Sequence, residues 1–309
     1  MSTKRLRGEP VARRIREDVR DRVARLDERG RVPTLATVLA TDDPAAARFM
    51  DLKHAACDAA GVETRDCRLP PDTAPERLYR TVERLSAEAA VDAVFVQTPL
   101  PPGASTLGVG DRLDPGKDVD CFHPANRGRL VAGDPRFVPA TTAAVRRLLA
   151  AYDVDVRGSD LVVVGRSAVV GVPLANSFVQ ADATVTVCHS RTRDLGSKTR
   201  RADVLVTACG VPGLVDGSML SPGTVVVDVS ANRRQTATGH EVVGDVDHDD
   251  AEDVVAALTP VPGGVGPVTL AMLLRNVVLA AERRAGAGRE AGGSPPTSWS
   301  TGARPSWEE

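Results

Sequence analysis

The second half of the chain carries four short runs dominated by valine, leucine and threonine, at 161–164, 184–187, 204–207 and 224–229. All are rich in β-branched residues, and only 184–187 (TVTV) alternates, threonine with valine. A continuous apolar run of this length is the pattern of a strand buried on both faces, as in a parallel sheet covered by helices. A helical-period segment at 172–180 separates the first two runs, so a βαβ reading follows. The first half repeats the alternation. Val11, Ile15, Val19, Val23 and Leu26 fall on one face of a helix over 9–29 that ends at Gly30, and a strand is predicted at 34–40. Asp43 followed by Pro44 is a helix start, capping residue then proline, with the helix running through Cys57 and stopping at Gly61. A strand at 64–69, a helix at 74–88 and a buried strand at 91–97 come next. Residues 98–139 read as loop-rich, and helices are expected from 141 and over 268–284. The fold class is therefore α/β, two α/β domains joined near 139–142, with a disordered tail over 286–309 where the composition collapses to Gly, Ser, Pro and Arg.

A length of 309 residues allows each domain its own core. The net charge of −2 gives no reason to expect a nucleic-acid or acidic-membrane partner. No apolar run approaches the roughly 20 residues that span a bilayer. The start, MSTKRLRGEP, lacks an apolar secretory segment, so a cytoplasmic protein is expected. Five scattered cysteines (Cys57, Cys67, Cys121, Cys188, Cys209) show no metal-like spacing and read as buried, reduced thiols, with no metal site. Of 39 basic residues only Lys4, Lys53, Lys117 and Lys198 are lysine. Coding bias explains such a skew, yet lysine can lose its proton where arginine cannot, so these positions invite inspection.

Residues 161–173 read LVVVGRSAVVGVP: a strand runs into Gly165, and Gly171 opens a helix. Backbone N–H groups at such a helix start can receive a pyrophosphate, and glycine lets it approach. The motif is not G-x-G-x-x-G, because Ser167 holds the middle position, and a tight structural turn reads equally well from it alone. One strand later, Cys188-His189-Ser190-Arg191-Thr192 stands where dinucleotide folds read the ribose. Arginine there suits a 2′-phosphate and favours NADP over NAD, with Arg166 near. The alternative is a solvated arginine pair.

Taken together, these motifs resemble the bifunctional methylenetetrahydrofolate dehydrogenase/cyclohydrolase family. Residues 162–173 look like its VVGRSxxVGxP element, 188–192 like CHSxT, 259–269 (TPVPGGVGPVT) like TPVPGGVGPMT, 96–101 like VQLPLP, and 117–120 like the start of KDVDG. The resemblance implies a folate-binding catalytic domain (1–140 plus 267–285) and a Rossmann-like NADP-binding domain (141–266), with a cleft between them. It implies oxidation of 5,10-methylenetetrahydrofolate with NADP and hydrolysis of the methenyl product to 10-formyltetrahydrofolate, in one-carbon metabolism and purine biosynthesis. Its partners would be tetrahydrofolate one-carbon derivatives, and its assembly a homodimer. Carried over residue by residue, Lys53, Gln97 and Asp120 take the catalytic positions. Phe49, Asp120, Pro262, Gly263, Gly264 and Pro267 line the folate side. Thr141, Gly165, Arg166, Ser167, Gly171, His189, Ser190, Arg191, Ser230 and Ala231 face the cofactor.

The departures matter as much. Where the family has tyrosine four residues before its lysine, on the same helical face, this chain has Phe49, and a small hydroxyl residue has become Ala46. Cys121 replaces the glycine after KDVD, residues 228–232 (DVSAN) replace D-x-G-I-N, and Ala140-Thr141-Thr142 replaces C-T-P. A diverged member is implied, with the hydrolysis weakened more than the oxidation. Two other readings stay open here: a non-catalytic folate- or NADP-binding homologue, and an NADP-dependent dehydrogenase of another small substrate.

Overall fold

The computed structural model describes residues 3–236 and 239–286. The expectation of a tail over 286–309 therefore lies, beyond residue 286, outside the described residues. In the first half, β1 (Lys4–Arg5), α1 (Glu9–Asp27), β2 (Thr34–Leu39), α2 (Pro44–Asp58), β3 (Glu63–Arg68), α3 (Pro75–Ala87), β4 (Ala93–Val96), α4 (Thr106–Gly110) and α5 (Pro124–Val131) follow in order. The second half holds α6 (Ala140–Ala151), β5 (Asp160–Val164), α7 (Gly171–Val179), β6 (Thr184–Cys188), α8 (Leu195–Thr199), β7 (Val204–Thr207) and β8 (Val225–Asp228). The hairpin β9 (Asn232–Thr236) and β10 (Gly239–Val243), then α9 (His248–Glu252), β11 (Ala257–Leu258) and α10 (Val265–Gly286) complete it.

Two parallel sheets organise these elements. One has the order β3-β2-β4; the other has the order β1-β11-β8-β7-β5-β6. The wholly buried strands β2, β4 and β7 are the runs that lack alternation, as a doubly covered sheet requires. The two-residue β1 joins the edge of the second sheet, Lys4 opposite Ala257, so the chain starts on the far lobe before α1 crosses back.

Helix α10 packs against both α1 and α6. Its Asn276 amide donates to Val119 O and Val138 O, both at 2.9 Å, tying the loop after β4 to the helix. Arg22 on α1 pairs with Glu282 on α10 at 2.6 Å. Among the described residues α10 is the one helix long and apolar enough to cross a bilayer, but 61% of that apolar window is buried inside the protein, where it serves as core.

Residues 98–139 are less loop-like than their composition predicts, since they contain α4 and α5. Five residues with two glycines show no readable period in α4. For α5 the start signal was local: the His123 ring nitrogen accepts from Ala125 N at 3.0 Å, with Pro124 following. The β9–β10 hairpin was also unexpected, because both strands are polar and mostly exposed.

Candidate active site

Lys53 lies on the buried stripe of α2, with Ala46, Met50 and Cys57. The Asp43 carboxylate caps that helix by accepting from Ala45 N at 2.9 Å, which fixes where the stripe points. The ammonium is thus driven inward, 7% exposed. It donates to Gln97 Oε1 at 2.8 Å and to Phe49 O at 3.5 Å, and sits 4.6 Å from the Phe95 ring centroid and 5.5 Å from that of Phe49. Gln97 follows β4 directly, and its amide donates to Thr98 O at 2.6 Å, so its oxygen faces the lysine. Burial lowers the Lys53 ammonium to about 8, an effect that Asp120 and the Cys57 thiol oppose.

Asp120 is partly accessible, and one oxygen accepts from Ala140 N at 3.2 Å. Desolvation raises its carboxyl to about 7, against the Ala140 hydrogen bond and the Lys53 charge. The other charged residues of Lys117-Asp118-Val119-Asp120 turn away. Lys117 donates to Ser86 O and Glu88 O, capping the end of α3. Asp118 accepts from Phe122 N, His123 N and the Asn126 amide, which closes the turn. Cys121 keeps that turn at φ 59°, a left-handed conformation that favours glycine, and its thiol donates to Phe137 O at 3.0 Å.

A cleft of about 1330 Å³ opens between the lobes. Phe49, Thr141, Ser230, Ala231, Pro262, Gly263, Gly264 and Pro267 all line it, while Lys53 and Gln97 stand behind Phe49 and Thr98, which form part of its wall. The remaining predicted residues gather at the ends of β5 and β6. Gly165 has φ 135°, and a Cβ there would stand 2.4 Å from Ala208 O; one on Gly171 would stand 2.2 Å from Gly165 O. Only glycine permits this turn. The Ser167 hydroxyl accepts from Val170 N at 3.1 Å and from Gly171 N at 3.4 Å, so those N–H groups are engaged within the turn. His189 Nδ1 accepts from Arg191 N at 3.1 Å, leaving Arg166, Ser190 and Arg191 exposed around the crevice.

Asp245 was not singled out from sequence, yet it organises the cleft's second wall. Fully buried, it accepts from Cys209 N, Gly210 N, Val211 N, the Ser230 hydroxyl and the Asn232 amide, at 2.7 to 3.2 Å. Burial would raise its carboxyl, but these donors hold it below the usual range. The preceding residue must be small: a Cβ on Gly244 would meet Asp228 Oδ2 at 1.9 Å.

The fold and the site define a two-lobed α/β enzyme with a dinucleotide-type domain and a buried lysine beside the cleft. Residues 6–120 match the catalytic domain of tetrahydrofolate dehydrogenase/cyclohydrolase, and residues 139–285 match its NAD(P)-binding domain. The bifunctional protein FolD of Haloquadratum walsbyi is 48% identical over 282 residues, covering 90% of this chain and 91% of its own. That of Natronomonas pharaonis is 49% identical over 280 residues, covering 89% and 94%. A solved structure of the Trypanosoma brucei methylenetetrahydrofolate dehydrogenase-cyclohydrolase, complexed with NADP cofactor and inhibitor, superimposes with TM-score 0.88 at 36% identity. It covers 94% of this chain and 100% of that one. The chain belongs to the tetrahydrofolate dehydrogenase/cyclohydrolase family.

Proposed function

We propose that the protein oxidises 5,10-methylenetetrahydrofolate with NADP and hydrolyses the methenyl product to 10-formyltetrahydrofolate. The observation that carries this reading is the buried Lys53 ammonium, hydrogen-bonded to Gln97 behind the cleft wall. A lysine lowered to about 8 is neutral in roughly a tenth of molecules at pH 7, enough to work as a base. For the hydrolysis, water attacks the methenyl carbon while neutral Lys53 takes its proton. That proton then passes to the folate nitrogen as the C–N bond breaks, the hydroxyl on the attacked carbon gives its remaining proton to the amine, now neutral again, and the formyl group stays on the other nitrogen; the amine releases this second proton to water. Gln97 keeps the amine oriented in both steps. Asp120 takes hydrogen bonds from the pterin amino group, and Pro262, Gly263, Gly264 and Pro267 shape the wall on which the substrate lies.

The turn at Gly165 and Gly171 fits a dinucleotide, because at both positions a side chain would clash with backbone. When bound, NADP supplies the hydride acceptor. Since Ser167 engages the N–H groups of Val170 and Gly171, residues 166–169 would hold the pyrophosphate. Arg166, Ser190 and Arg191, with His189 bracing Arg191, take the 2′-phosphate. Thr141, Ser230 and Ala231 position the nicotinamide end. Phe49 offers no hydroxyl to assist Lys53, so hydrolysis is weakened more than oxidation. The protein is also read as a cytoplasmic homodimer, acting in purine biosynthesis, with the domain limits 1–140 plus 267–285 and 141–266, except that β1 (Lys4–Arg5) joins the sheet of the second domain.

Mixing purified protein, NADP and methylenetetrahydrofolate while following the methenyl and NADPH absorbance bands tests the reading. Growth of NADPH is expected. Measurable NADP binding with no growth in either band would contradict it.

A further inference from the structure

Asp228 ends β8 at the back of the cleft, and its side chain is fully buried. One oxygen accepts from Ser230 N at 3.1 Å and the other from Val246 N at 2.8 Å. The first of these bonds fixes the backbone where the cleft-lining stretch 230–232 begins. Asp245 then holds the Ser230 hydroxyl and the Asn232 amide of the same stretch. Among the described residues, no lysine or arginine lies within ion-pair distance of the Asp228 carboxylate.

The group that can supply a positive charge there is His248, the first residue of α9. Its Nε2 stands 3.8 Å from Asp228 Oδ2, buried and without a hydrogen-bond partner. A ring nitrogen sealed from water beside a buried carboxylate costs free energy unless it points a proton at that carboxylate. The side chain as a whole is 28% exposed, so solvent protons reach the ring. The other charged groups around it are acidic or committed. Asp247, Asp249, Asp250 and Glu252 belong to α9 and its cap, and Glu252 is held by Arg5. Asp216 opens the turn at Gly217–Met219 that packs on α9, and its carboxylate accepts from Ser218. Asp245, just before α9, is engaged by its own donors, the Cys209 thiol included.

We propose that His248 is a positioning residue for the cofactor: protonated, it pairs with Asp228 and so fixes residues 230–232 against the nicotinamide end of NADP. The proposal rests on the cofactor reading above, in which Ser230 and Ala231 take that end. Histidine is the side chain that changes charge in the range where enzymes are ordinarily assayed. The pair therefore gives NADP binding a pH dependence separate from that of Lys53 and Asp120. Loss of the imidazolium at higher pH leaves Asp228 held by two N–H groups alone, and the stretch it anchors loosens.

NADP titrations of wild type, His248→Phe and His248→Gln between about pH 6 and about pH 8.5 test this. Phenylalanine fills the space of the ring and glutamine keeps a donor, and neither changes charge. At about pH 6 wild type should bind NADP about fivefold more tightly than either variant, as a charge-assisted bond allows over a neutral one. By about pH 8.5 the ratio should fall to within about twofold. Taking the ratio cancels titration of the 2′-phosphate of NADP and of groups common to the three proteins. A ratio that stays constant with pH would overturn the proposal. A second measurement needs no cofactor. In denaturant unfolding, the effects of His248→Phe and Asp228→Asn should be non-additive at about pH 6 and additive at about pH 8.5. Additive effects at both would show that no pair forms, and would overturn it too. Failure of NADP to bind at any pH would instead sink the cofactor reading, and the positioning role with it, while the unfolding cycle still reads the pair.

Discussion

Lys53 and Asp120 feel each other's charge, and burial opposes the ordinary charge of both: the ammonium is lowered to about 8 and the carboxyl raised to about 7. Each partly restores the other's charge, and the restoration gives the site its pH behaviour. Hydrolysis should rise as pH passes through about 8, as neutral Lys53 accumulates. Asp120→Asn removes the carboxylate that holds a proton on the lysine, so the rising limb of kcat should move to lower pH; a profile that stays put contradicts this coupling. Stability follows by linkage. Between about 8 and the ordinary 10.5 of lysine the unfolded chain holds the extra proton, so Lys53 makes the fold more stable as pH rises through that window. Between 3.8 and about 7 the folded chain holds the extra proton on Asp120, so that carboxyl makes the fold less stable as pH rises. Thermal unfolding of wild type and Asp120→Asn across these windows checks both signs.

Phe49→Tyr should speed methenyl hydrolysis more than methylene oxidation. One hydrogen bond to the reacting group is worth about 1 kcal/mol, or about fivefold, and more if it moves a proton. Assays of both activities in the purified variant decide it; an unchanged hydrolysis rate would show that the missing hydroxyl is not what limits this site.

Arg191→Ala should weaken NADP and leave NAD almost unchanged. A charge-assisted hydrogen bond to phosphate contributes about 1.5–3 kcal/mol, so the KM for NADP should rise by ten- to a hundredfold or about that. The ratio of the two cofactors' kcat/KM is the measurement. A parallel loss with both would place Arg191 on the pyrophosphate or on the fold.

Asp245→Ala strips one buried acceptor from the N–H groups of Cys209, Gly210 and Val211 and from the side chains of Ser230 and Asn232. Leaving such donors unpaired should cost about 2–4 kcal/mol of stability. Denaturant unfolding should show this loss, and the KM for NADP should rise with it. A variant as stable as wild type would mean that water replaces the carboxylate.

The layered α/β architecture was legible because its strands are uninterrupted apolar runs and α1 repeats valine, isoleucine and leucine at helical spacing. What escaped notice shares a physical cause. The two-residue β1 and β11 are strands only because they pair with each other and with β8, and the β9–β10 hairpin buries neither face. Tertiary pairing, not local preference, makes them. Within the site, Lys53 was readable twice: as one of few lysines, and as a charge on the stripe of Ala46, Met50 and Cys57. Asp245 was not, because its donors come from two separate segments, 209–211 and 230–232. Cys121, which replaces a glycine, adopts the left-handed conformation, with its thiol hydrogen-bonded to Phe137 O.

Decay of the methenyl absorbance in Lys53→Met, against wild type and buffer alone, tests the role of the buried ammonium most directly. Methionine fills similar space and keeps the stripe apolar, so the fold and NADP binding should survive. Hydrolysis should fall by about 10²–10⁴-fold, toward the spontaneous rate. Hydrolysis at the wild-type rate in a folded, NADP-binding Lys53→Met protein would contradict the account.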